Sequence, residues 1–100
     1  MTRDAAQADP KHYTVELEND QVRVLRIHFG PREKSVLHAH PAGFAILLSD
    51  CDFRFYLPQG QTQDILGKLG QIVEFTEAFE HLPENRSDKP FEAIIVELKA

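Results

Sequence analysis

Cysteine occurs once in this 100-residue chain, at Cys51, so no disulfide can form within it. Long apolar runs are missing too. The longest, Phe44 to Leu48, falls far short of the roughly 20 residues that a membrane-spanning helix needs. The opening residues, MTRDAAQADPK, hold no apolar stretch of the kind a secretory leader carries. One cysteine and no leader make the reducing cytoplasm the expected compartment. Basic residues are few and scattered, 11 against 16 acidic for a net charge of −5, so no basic face is offered to nucleic acid. Internal repeats, low-complexity tracts and long linkers are also lacking, and the length suits one domain. The expectation is a small globular domain without nucleic-acid or membrane partners.

What is present is a rhythm of short segments rich in Val, Ile, Phe, Tyr and Leu, punctuated by Pro and Gly. That pattern predicts an all-β sandwich or barrel. The expected strands are Tyr13–Glu18, Val22–Phe29, Ser35–His40, Phe44–Ser49, Asp52–Leu57, Thr62–Leu66, Ile72–Phe75, Glu80–Pro83 and Phe91–Leu98. A helix over Val73 to Asn85 competes, but its apolar positions keep no 3.6-residue period and Pro83 would interrupt it. Residues 1–11 read as a flexible N-terminus, and residues 12–100 as the folded domain.

Most strands alternate, as Phe53, Phe55 and Leu57 do against Asp52, Arg54 and Tyr56. By the same parity Arg26 and His28 lie opposite Leu25, Ile27 and Phe29, on the solvent side. Two segments, Phe44–Leu48 and Ala93–Val96, are apolar at both parities, so both faces call for cover. A homodimer supplies the second layer, since a chain this short has little of its own to spare.

His38-Ala39-His40 places two imidazoles two residues apart, on the same face if the segment is a strand and within reach of one metal ion. The surrounding residues extend the pattern. In GPREKSVLHAHPAGFAILLSDC, Gly30 precedes the histidine pair, Phe44 follows it, and Cys51 ends the stretch. In GQIVEFTEAFEHLPEN, Gly70, His81 and Asn85 recur at fixed offsets. These two stretches resemble the two motifs of the cupin superfamily in order and spacing, over roughly Val22 to Leu98. The departures are a longer gap after Gly30, Phe44 where the family has Glu, Cys51 at the last Gly, and Thr76 and Ala78 in place of Pro and Gly.

The resemblance implies a single-domain antiparallel jelly-roll barrel with a divalent transition metal near its mouth. Carried over residue by residue, the ligands are His38, His40 and His81, with the fourth position left by Phe44, which cannot coordinate. A three-histidine set keeps the ion's full charge and suits Fe, Zn, Ni or Mn without choosing among them. Some thiol and diketone dioxygenases of the family are similar in lacking the Glu. Phe44, Phe53 and Phe55, with Phe75, are the candidate walls of a pocket for a small organic ligand, an anion among the candidates. Asn85 is a candidate for orienting a ligand, or a turn residue. Cys51 has no His or Arg beside it in sequence and reads as structural. Two functions stay open: a metal-dependent cupin with dioxygenase- or isomerase-like chemistry, and a non-catalytic binding or sensor module with a degenerate, metal-free site.

Overall fold

In the computed structural model, which describes residues 2–99, the chain folds into two antiparallel sheets that enclose one core. A short helix, α1 (Ala5–Ala8), precedes the strands β1 (Tyr13–Glu18), β2 (Val22–Phe29), β3 (His38–His40), β4 (Gly43–Leu47) and β5 (Cys51–Tyr56). A 3-10 turn at Pro58–Gly60 then leads to β6 (Thr62–Gly67), β7 (Ile72–Phe75), β8 (Phe79–Asn85) and β9 (Phe91–Leu98). One sheet has the order β1-β2-β9-β4-β7 and the other β3-β8-β5-β6. Consecutive strands therefore pass repeatedly between sheets, as a jelly roll requires.

The period-two pattern decides which side chains enter. On β2, Leu25, Ile27 and Phe29 are buried, and opposite them on β9 stand Ile95, Ala93 and Phe91. Phe53 of the second sheet closes the core, its ring 5.0 Å from that of Phe29 and 4.6 Å from that of Phe91. Each large apolar side chain so buried contributes about 1.5–3 kcal/mol. The two segments apolar at both parities are neighbours, β4 against β9. Ala45, Leu47, Ala93 and Ile95 face the core, while Phe44, Ile46, Ile94 and Val96 form a stripe on the outer face. The strands lie so close that a Cβ on Gly43 would stand 2.0 Å from the Val96 carbonyl oxygen, so only glycine fits there.

Strands β1, β2, β7 and β9 match the expected bounds, and the others shift at their ends. The clearest difference is β3, which starts at His38 rather than Ser35. Val36 and Leu37 are exposed, and the Val36 carbonyl turns back to a side chain instead of a ladder.

The N-terminus also departs from expectation. Residues 3–11, read as part of a flexible extension, pack on the barrel together with His12. Asp4 caps α1 by accepting from Gln7 N at 3.0 Å, Ala5 is fully buried, and Asp9 and His12 are buried polar residues. A polar segment gives no apolar periodicity to read, and what fixes this one is capping and tertiary hydrogen bonding.

Candidate metal centre

The three histidines arrive together because of register. β3 pairs with β8 so that His38 lies directly opposite His81, and His40 is two residues along on the same face. All three are buried, and His38 Nε2 stands 3.1 Å from both His40 Nε2 and His81 Nε2. They form a group that could hold a metal ion.

The outer nitrogens fix two of the tautomers. His38 Nδ1 lies 2.8 Å from the Val36 carbonyl oxygen, an acceptor only, so Nδ1 carries the proton and donates. His40 Nδ1 donates likewise to Glu97 Oε2 at 2.7 Å. In the neutral rings both Nε2 atoms are then bare lone pairs facing each other. Burial and the neighbouring His40 push the His38 pKa down to about 4, and burial holds His81 well below the usual histidine range. Those two rings are therefore neutral near pH 7. Converging lone pairs repel unless a cation joins them, so the donor set fits a metal ion. His81 Nδ1 is the one buried side-chain polar atom without a partner among the described residues.

Glu97 escaped the sequence reading. It is 2% exposed, bonds His40 through one oxygen, and receives Arg23 Nε and Nη2 at 3.0 Å on the other. A signal existed: Glu97 shares the inward parity of Phe91, Ala93 and Ile95, and Arg23 that of Leu25, Ile27 and Phe29. Two opposite charges on core-facing positions of paired strands indicate a buried ion pair. Tyr13 was likewise unremarked, and its ring meets His38 edge-on at 4.8 Å. Burial pushes its phenol well above the ordinary range.

The aromatic candidates divide. Phe53 and Phe55 line an apolar cavity of about 60 Å³ together with His40, His81, Phe75 and Phe79. Phe55 stands edge-on to His81 at 4.2 Å, and Phe79 lies 5.3 Å from His40. Phe44 is not among the lining residues. It sits on the outer face of β4, between Val96 and Glu74, so it does not occupy the place of a fourth ligand. The alternation of β4 decides this, since Gly43 and Ala45 take the inward positions.

Asn85 is also removed from the histidines' work. Its Nδ2 donates to the carbonyls of Gly30 and Lys89, and its Oδ1 accepts from Ser87 N, so it braces the loop into β9. Cys51 is buried and its thiol is pushed up to about 12, in keeping with a structural role. Arg26 and His28 face outward as expected, and Arg54 pairs with Asp64 on the exposed side. No helix among the described residues is long and apolar enough to cross a membrane.

No protein-family model matches the sequence, and no curated protein does. Solved structures do match. A cupin domain from Bordetella pertussis is 25% identical and superposes with a TM-score of 0.79, over 88% of this chain and 92% of that one. An RmlC-like cupin family protein with a double-stranded β-helix fold, from Methanocaldococcus jannaschii, is 19% identical with a TM-score of 0.66, over 90% and 83%. The polyketide cyclase RemF from Streptomyces resistomycificus is 15% identical with a TM-score of 0.60, over 86% of this chain and 63% of that one. Two antiparallel sheets wound as a double-stranded β-helix around a histidine cluster define the class. The chain has the fold of a small single-domain cupin.

Proposed function

We propose that this protein binds a divalent first-row transition metal through His38, His40 and His81 and holds a small, largely apolar organic ligand in the cavity beside it. The observation that carries the reading is the convergence of the Nε2 atoms while two of the opposite ring nitrogens are committed as donors. When bound, the metal supplies Lewis-acid polarisation of a coordinating group on the ligand. The chain's own residues orient and shield. The Val36 carbonyl and Glu97 fix the rings of His38 and His40, and Phe55, Phe75 and Phe79 keep water from the cavity side.

The cavity chemistry narrows the ligand. Among the described residues no Lys or Arg lines it, so an anionic group would meet no positive charge there except the metal's. No carboxylate lines it either, and Glu97 is spent on His40 and Arg23. That supports oxygen chemistry, which asks for no protein base, over isomerase-like proton shuttling by an Asp or Glu. The fold alone hosts many activities and does not choose.

The test is metal content. Untagged protein reconstituted in turn with Fe, Zn, Ni and Mn should retain up to one equivalent of at least one of them, and His40→Ala should strip it. Retention below about a tenth of an equivalent in every case would overturn the reading and leave the metal-free binding module.

A further inference from the structure

β3 is an edge strand of its sheet, and the segment from Arg3 to His12 covers that edge. The Ala39 N–H, on the residue between the two histidines, donates to the Arg3 carbonyl at 2.9 Å, and Asp4 bridges Ala39 in parallel. Two polar chains then run from this segment to the histidines. In one, Ser35 Oγ donates to Asp9 Oδ2 and stands 3.4 Å from His38 Nδ1. The single Ser35 proton goes to Asp9, which leaves an oxygen lone pair as a second, longer acceptor for the His38 N–H that the Val36 carbonyl receives at 2.8 Å. His12 holds the same Asp9 oxygen at 2.6 Å, reaches Glu33 at 3.1 Å with its other nitrogen, and stacks on Phe29 at 4.1 Å. In the other chain, Asp4 Oδ1 meets Arg23 Nη2 at 3.3 Å, Arg23 meets Glu97 at 3.0 Å, and Glu97 accepts from His40.

We propose that residues 3–12 form a strap in which Asp4 and Asp9 are positioning residues for His40 and His38, so that strap docking and metal retention are coupled. The inference rests on the metal reading above. Its physical basis is that Asp9, His12 and Ser35 are all buried, so lifting the strap strands their polar groups and leaves the His38 ring held by the Val36 carbonyl alone. Coupling of this kind is reciprocal: whatever the strap adds to metal affinity, the metal returns as strap stability. The strap also closes the open edge of β3, which the sheet otherwise exposes beside its metal-bearing residues.

The experiment measures Zn(II) affinity by competition with a chromophoric chelator, and amide exchange at Ala39 with and without Zn(II). Asp9→Ala and Ser35→Ala should each weaken Zn(II) binding about 10- to 100-fold. Asp64→Asn, on the far sheet edge, should leave it unchanged. In the parent, Zn(II) should slow exchange of the Ala39 N–H, and Asp9→Ala should diminish that slowing, a dependence that a merely structural strap would not show. If Asp9→Ala fails to fold, Ser35→Ala carries the test, since it deletes one hydroxyl and leaves the strap backbone in place. Parent affinity in Ser35→Ala, or Ala39 exchange indifferent to bound Zn(II), would overturn the strap alone. A parent that takes up no Zn(II) or other metal would overturn the metal reading, and the strap with it.

Discussion

His40 and Glu97, 57 residues apart in sequence, are joined by a buried 2.7 Å hydrogen bond from Nδ1 to Oε2. The bond sets the ring's tautomer, and Arg23 balances the carboxylate's charge from the other side. Glu97→Gln turns an amide N–H toward either Arg23 or His40, both donors. We expect it to weaken metal binding about 10- to 100-fold. We also expect it to cost about 3–5 kcal/mol of stability by leaving Arg23 half-paired. Adding Arg23→Met to Glu97→Leu should recover much of the stability and none of the affinity. Denaturant melts beside chelator competition would separate the two effects, and equal recovery of both would refute the orienting role.

Phe44 faces outward between Val96 and Glu74. Phe44→Glu therefore places a like charge opposite Glu74 and exposes the stripe, without adding a ligand. The melting temperature should fall by the same amount with metal and with chelator. A gain in metal affinity would show that the side chain reaches the histidines after all.

The outer stripe bears on assembly. Val24, Val96 and Phe44 lie abreast, and so do Ile94, Ile46 and Ile72. A second copy laid on this face is the proposed cover, and a stable pair needs about 800 Å² from each partner. Light scattering at tens of micromolar should give the mass of two chains, and Ile46→Lys the mass of one. A single-chain mass for the parent would retire the dimer.

Acid should destabilise the metal-free protein before its carboxylates titrate. His38 binds a proton at about 4 when folded and near 6.5 when unfolded, and the His81 value is displaced in the same direction. Between those values the unfolded chain holds more protons, so stability rises with pH. The His38 contribution is whole above about 6.5 and is lost as pH falls toward about 4, a change on the order of 3 kcal/mol. Below about 4.5 Glu33, whose pKa is pulled down to about 2 by Gly30 N–H, Lys11 and His12, adds a loss of the same sign. Urea midpoints of chelated protein at pH 7, 6 and 5 would check this, and a flat profile would contradict the burial of neutral histidines.

The barrel was legible because alternation survives in short strands: Leu25, Ile27 and Phe29 declare one face of β2 without any tertiary information. The histidine pair was legible for the same reason, and His81 through motif spacing. Phe44 was misplaced because motif offset counts residues, whereas the pleat of β4 decides which way each one points. Asn85 looked like a site residue by the same offset, yet its amide is consumed by three backbone groups. The Asp9–Ser35 and His40–Glu97 contacts were out of reach because the partners lie 26 and 57 residues apart, and only the folded chain brings them together.

The separation of 43 residues between His38 and His81 gives the cross-strand pair a second consequence. Closing a loop of that length costs a denatured chain about 4 kcal/mol of conformational entropy, by the chain-entropy account used for disulfides. An ion held by both residues would act as a reversible staple, and by keeping β3 and β8 in register it would shorten the search that a non-local β topology otherwise makes slow.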